Sequence, residues 1–246
     1  MEAIGPVLIA SPFPGEGHRQ IRARLRHQGL RGSKERARRL MREDGLAAAT
    51  RTGSPRGPRD HDGTIVPETI DAMWGTDRTT TLTAEHGQVA VFAVFVAIDH
   101  GSAECVGLHA APRGTRHEAP EPVRQGVAER SRGVEKDAAQ GRRHPPRSRQ
   151  PVHVPRASGK QIAWLGASSS PAFVRAPEGN GRTERFIRTP KENLPGVRTF
   201  QTVEALRLAL IDFPRTHSEP WPIERHRHRS PAQFRRDQMD TMPPAA

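Results

Sequence analysis

Asp77, Glu184 and Lys191 are the residues of this chain whose types and spacing could do chemistry together. Asp77 follows Trp74-Gly75-Thr76 in a threonine-rich stretch that reads as a strand. Glu184 precedes Lys191 by seven residues in a segment that reads as a helix, and positions i and i+7 share a helix face. A strand carboxylate opposite a helix carboxylate, with a lysine one face along, suits metal-dependent phosphoryl transfer. In that chemistry two Mg²⁺ ions about 4 Å apart activate the attacking oxygen and stabilise the leaving one. Spacing alone does not separate this reading from a blander one, because an Asp or Glu taken singly is ordinarily a solvated surface charge.

These carboxylates need a sheet and a helix to hold them. Val89 to Ile98 is an unbroken apolar run rich in Val and Phe, which reads as a strand buried on both faces. Asp99-His100-Gly101-Ser102 reads as a turn and Ala103 to Leu108 as the returning strand. Trp74 to Thr83 makes a third strand of the same meander. Asp99, at the turn, is expected to be structural. Cys105 is expected to be a small buried residue in a strand. Asn180 to Asn193, with Phe186 and Ile187, reads as a helix. Gln161 to Gly166 reads as a helix end, and Val203, Leu206, Leu208 and Leu210 mark another helix. Between His109 and Gln161 there is no Leu, Ile, Met, Phe or Trp, so the middle third is expected to pack poorly. From Pro214 onward the basic, proline-rich chain is expected to be irregular, and His226 and His228 to belong to a basic tail rather than a metal site.

The formal charge is +12, from Lys+Arg 39 against Asp+Glu 27, and arginine supplies most of it. Such a chain favours a polyanionic partner. Ile21 and Leu25 lie on one face of a helix over about 17–28, Gly29 and Gly32 break it, and Ser33 is an N-cap for a second helix with Ala37, Leu40 and Met41 inward. Gly45 suits the left-handed residue after that helix. Arg19, Arg22, Arg24, Arg26, Lys34, Arg36, Arg38, Arg39 and Arg42 then project outward, in a helix-turn-helix pattern suited to DNA. Leu, Ile, Val and Phe fall just short of the roughly 20% below which a highly charged chain tends to disorder. No apolar run approaches a membrane span and the N-terminus has no signal-peptide pattern, so the expected location is cytoplasmic. One cysteine excludes an intramolecular disulfide framework.

Several blocks, in order, resemble an insertion-sequence transposase of the insertion sequence three group. They are Gly15-Glu16-Gly17-His18-Arg19, Trp74-Gly75-Thr76-Asp77, Ala97-Ile98-Asp99-His100, Glu104-Cys105-Val106-Gly107, the stretch from Ser170 to Lys191, and Ile223-Glu224-Arg225-His226 with Ser230-Pro231-Ala232-Gln233-Phe234. The resemblance implies an α/β fold, a ribonuclease H-like integrase core behind an N-terminal helix-turn-helix segment. It implies an Asp-Asp-Glu triad with Asp77 first and Glu184 third, both Mg²⁺ ligands, and Lys191 as a DNA contact. It also implies transposon-end and target DNA as partners, and self-association of the chain.

The family's spacing puts the second aspartate at Ser148, on a strand that ends there, and no Asp lies between Ala138 and Ile211. Back-translated and read one base later, Pro145 through Arg149 permit Arg-His-Asp-His, and Arg149 through Pro155 permit Gly-Ser-Gln-Tyr-Met-Ser, which are family residues. Residues 142–158 therefore read as out of frame, and an in-frame version is expected to supply a strand beside Val89–Ile98. Where the family tends to leucine this chain has Pro190, Pro195 and Pro222, and where it tends to Tyr-Asn it has His217-Ser218. Pro190 is expected to kink the helix that carries Glu184.

The expected organisation is a DNA-binding segment over 1–50, a linker over 51–66, the core over 67–236 and a tail over 237–246. The expected function is metal-dependent DNA cleavage and strand transfer, inactive in this copy. The alternatives are a basic DNA-binding protein without catalysis and an unfolded pseudogene product.

Overall fold

The structure is a computed structural model that describes residues 3–13, 16–48, 67, 69–85, 88–115, 117–131, 133–140, 151–153, 159–169, 181–193, 200 and 202–241. The expected linker, Ser148, and most of the out-of-frame stretch lie outside these residues. The chain divides into two units. One comprises Met1–Asp60 with Pro222–Ser230, and the other His61–Trp221 with Pro231–Ala246.

In the first unit three helices share a small core. They are α1 (Ile4–Ala10), α2 (His18–His27) and α3 (Lys34–Glu43). Ile4, Val7, Ile21 and Met41 are buried together, with Leu8, Leu25 and Leu40 packed at the edge. The Ser33 hydroxyl accepts from the Arg36 N–H at 3.1 Å, so it caps α3 as its position suggested. Gly29 and Gly45 follow α2 and α3 with φ of 81° and 68°, the left-handed backbone that glycine adopts without a Cβ clash. Helix α1 was not foreseen; its IGPVLIA sequence contains Gly5 and Pro6 and offers less than two turns in which a helical period could show.

The second unit is built on a five-stranded sheet in the order β3-β2-β1-β4-β5. The meander is β1 (Trp74–Glu85), β2 (Gln88–Asp99) and β3 (Cys105–Ala111), each antiparallel to its neighbour. Every described side chain of β2 from Phe92 to Ile98 is buried. β4 (Pro151–His153) pairs with β1 in parallel, Val152 opposite Trp74 and His153 opposite Gly75, and β5 (Ser168–Ser169) pairs with β4. β4 lies beside β1, because β2 already has β1 and β3 on its two edges.

The apolar-poor middle is not empty of packing. Helix α4 (Glu121–Ser131) buries Pro122, Val123, Gly126 and Val127, and it packs on β3 and β2. Close approach replaces bulk. A Cβ on Gly107 would lie 2.1 Å from the Pro122 carbonyl oxygen, and one on Gly126 would lie 2.9 Å from the Trp74 ring. Trp74, Ala97, Val106, Val123, Val127, Ile162 and Leu165 close into one cluster. Ile162 comes from α5 (Gly159–Trp164), which ends at Gly166 with φ of 88°. The C-terminal part is also ordered, contrary to expectation. After α6 (Gly181–Asn193), α7 (Val203–Ser218) runs through Pro214, and α8 (Pro231–Thr241) extends into the supposed tail. Helix α6 likewise continues past Pro190 to Asn193. Proline removes one bond donor, but flanking turns keep theirs.

A buried ionic cluster ties the start of β1 to the β2–β3 turn, to α4 and to α8. Asp71, 2% exposed with φ of 56°, is bound by Arg235, and Arg130 and Arg235 both reach Glu104. Arg130 Nε lies 3.7 Å from Asp71. The Trp74 indole N–H donates to Asp71 at 3.2 Å. Burial pushes the Asp71 carboxyl up, but Arg235 and then Arg130 and Trp74 outweigh it and hold it below the usual range. Asp99 is fully buried and accepts from the N–H groups of Asp71 (3.0 Å), Gly101 (3.2 Å) and Ser102 (2.8 Å) and from the Ser102 hydroxyl (2.6 Å). Asp99 is therefore the structural turn residue that its position implied.

Removing one charge from such a cluster strands the others. Arg235→Leu is expected to lower the unfolding free energy by about 3–5 kcal/mol, the range for breaking a buried pair. Adding Asp71→Asn should recover part of that loss. Urea titration of the parent, Arg235→Leu, Asp71→Asn and the double variant checks this, and a fully additive double variant would show that the pair does not interact.

Candidate functional site

Asp77 and Glu184 come together in the second unit. On β1, Thr76 sits opposite Ala97 and Asp77 opposite Val96. Successive strand residues alternate faces. Trp74 and Thr76 therefore share the face that α4 covers, and Asp77 belongs to the other. Helix α6 packs on β1 and β2, held by three residues of its first two turns. Thr183 is fully buried with its hydroxyl 3.5 Å from His100 Nε2, and Phe186 and Ile187 are buried beside it. Those anchors leave Glu184 exposed between them. Loss of water around its carboxyl, and next the negative charge of Asp77, raise its pKa above the ordinary value. The Asp77 carboxylate accepts from the Arg78 N–H at 2.7 Å. Lys191 lies on the same helix, seven residues after Glu184.

Helix α6 is braced by α7 through aromatic rings. Phe186 meets His217 edge-on at 4.7 Å and Phe213 at 6.0 Å, and His217 stacks with Phe213 at 6.1 Å and Trp221 at 5.8 Å. His217 is buried, and neither its Nδ1 nor the Ser218 hydroxyl finds a hydrogen-bond partner among the described residues. Burial alone pushes the imidazole pKa down to about 3. The sequence marked position 217 only as a departure from the family. Its role in seating the helix of Glu184 becomes visible only when α6 and α7 are side by side.

The predicted basic residues of the first unit fall into two groups. Some are committed to the fold. Arg22 donates to the Gly32 carbonyl at 2.9 Å and closes the turn between α2 and α3, and Arg19 lies 3.5 Å from Glu224. Arg38 lies 3.4 Å from Glu35 on its own helix. Arg26, Lys34 and Arg42 are exposed. A residue given no role in the sequence, Glu16, has its carboxylate fully buried and takes both nitrogens of the Arg24 fork, at 2.8 and 2.7 Å. This bidentate pair fixes the entry into α2 and turns Arg24 onto the buried carboxylate, not outward as expected. Only the opposite charges eight positions apart hinted at it.

Two outcomes test this arrangement. Asp77→Asn removes the nearest negative charge, so the Glu184 pKa should fall toward the ordinary glutamate value. Carboxyl ¹³C titration checks this, and an unmoved Glu184 would mean that the two do not face each other. His217 binds its proton in the unfolded chain near pH 6.5 and in the folded chain only near 3. Its contribution is therefore intact above about pH 6.5 and lost as pH falls toward 3, by about 1.4 kcal/mol per pH unit. His217→Phe should flatten the stability profile over that interval, read by urea titration at a series of pH values.

No family model matches the chain, and no curated protein matches it. Among solved structures the chain is similar to one from the simian T-cell lymphotropic virus intasome in complex with PP2A regulatory subunit B56 gamma. The identity is 14% and the TM-score 0.47, over 92% of this chain and 72% of that one. No helix among the described residues is long and apolar enough to cross a membrane.

Proposed function

We propose that this chain is a DNA strand-transfer protein of the insertion-sequence type, with a helical DNA-binding unit and a ribonuclease H-like core, and that this copy is catalytically inactive. The Asp77–Glu184 pair carries the reading: a strand carboxylate and a helix carboxylate face each other closely enough to repel. A divalent cation relieves such repulsion. Asp77 and Glu184 would hold Mg²⁺, which supplies charge neutralisation at a phosphodiester when bound. The sheet order supports the core assignment, because it sets a parallel strand, β4, directly beside the one that bears Asp77.

The donor set is nevertheless short. Among the described residues no three His, Cys, Asp or Glu side chains converge on one point, and the family's second aspartate corresponds to Ser148. Two Mg²⁺ ions need more carboxylate oxygens than two side chains provide. No catalytic step is therefore assigned. What the chain's own residues do is bind. Arg26, Lys34 and Arg42 offer exposed charge to a phosphate backbone, and Lys191 would meet DNA near the carboxylate pair. Transposon ends and target DNA are the partners on this reading, and self-association would bring two ends together. A basic DNA-binding protein without catalysis is the second reading, favoured by the packed helical unit and the missing ligand.

The experiment assays the full chain for Mg²⁺-dependent cleavage of transposon-end DNA, beside Asp77→Ala and Glu184→Ala. The expected result is salt-sensitive DNA binding in all three and little or no cleavage in any. Robust cleavage lost in both variants would show that another residue supplies the third ligand. An absence of any cooperative thermal transition would instead favour the pseudogene alternative.

A further inference from the structure

The basic segment near the C-terminus is folded into the first unit, more than 170 residues beyond α3 in the sequence. His27 Nε2 on α2 lies 2.9 Å from the His228 carbonyl oxygen and donates to it. The segment closes on itself through the Ile223–Arg229 bridge, with Ile223 N–H to Arg229 O and His228 N–H to Ile223 O both at 3.0 Å. Its tip is strained. Arg227 and His228 are consecutive non-glycine residues with φ of 57° and 66°, and such backbone persists where its surroundings over-determine it. Arg227 is exposed at that tip.

We propose that Pro222–Ser230 forms part of the DNA-facing surface of this unit, presenting Arg227 to the same phosphate backbone that Arg26 of α2 meets. This rests on the reading that the unit binds DNA, and extends it to a segment that sequence analysis assigned to a tail. The fold gathers like charges here. His228 is held below its usual pKa first by burial and then, against Glu224, by Arg22, Arg26 and His27. Arg22 and Arg26 thus add positive charge beside the tethered hairpin, which a polyanion spanning the hairpin and α2 would offset. The duplex backbone, with a charge every ~1.7 Å of axis, suits such an array.

The test measures binding of the full chain to a labelled 30-base-pair duplex of random sequence across a salt series. Each lost phosphate contact should reduce the slope of log affinity against log salt by about 0.9. Arg227→Gln and Arg26→Gln should each do so. Arg227→Glu should weaken binding further, and Arg236→Gln on α8 should leave the slope unchanged. A parental slope in Arg227→Gln and unaltered affinity in Arg227→Glu, with a reduced slope in Arg26→Gln, overturns the proposal and leaves the unit's DNA binding standing. No salt-dependent DNA binding by the parent chain overturns both. Tighter binding of the parent to poly-glutamate than to the duplex at equal salt overturns DNA as the partner.

Discussion

The second unit depends on the ion cluster in which Asp71 and Glu104 face Arg235 and Arg130. Four charges leave water together there, and each is tolerated only because the others are present. The cluster joins elements that are remote in sequence: the turn into β1, the β2–β3 turn, the end of α4 and the first turns of α8. The left-handed backbone of Asp71 is maintained by this convergence. The entry to β1 is thereby fixed, and with it the register against β2 that assigns Asp77 to one face and Trp74 to the other.

Asp77 thus stands on rigid ground, whereas Glu184 stands on a helix held by contacts of a different kind. Thr183 docks on His100, and Phe186 wedges among the rings of α7. His100 follows directly on Asp99, the residue that organises the β2–β3 turn, so both carboxylates trace back to one corner of the sheet. The weaker side of the arrangement is the aromatic one. Its central ring is an imidazole whose Nδ1 has no partner among the described residues, which holds only while it stays neutral.

The meander was legible because its signals are local: an apolar run for β2, a four-residue turn, and a returning strand. Helices α2 and α3 were legible through Ser33 and through Ile21, Ala37 and Met41, and the Asp77–Glu184 pair through the order of its motif blocks. What stayed hidden is packing by small groups. Helix α4 has no Leu, Ile, Met, Phe or Trp, and it docks because Gly107 and Gly126 let backbone and ring approach. The end of α7 and all of α8 were hidden by prolines, Pro214 inside α7 and Pro231 in the first turn of α8, where proline is tolerated. Many of the residues that carried the family likeness, Asp99, Glu104 and Gly107 among them, hold the core rather than perform chemistry. A resemblance built on them speaks to the fold more directly than to activity.

The division of the first unit has a consequence for the order in which the chain is made. Helices α1 to α3 are synthesised before the segment bearing His228, which lies 201 positions after the His27 that binds it. At roughly 5–20 residues per second, that wait is on the order of 10–40 s. During it the N-terminal helices must persist on their own small core of Ile4, Val7, Ile21 and Met41, with α2 steadied by the buried Glu16–Arg24 pair. That pair joins groups only eight positions apart and needs nothing made later, so it can form as soon as α2 leaves the ribosome.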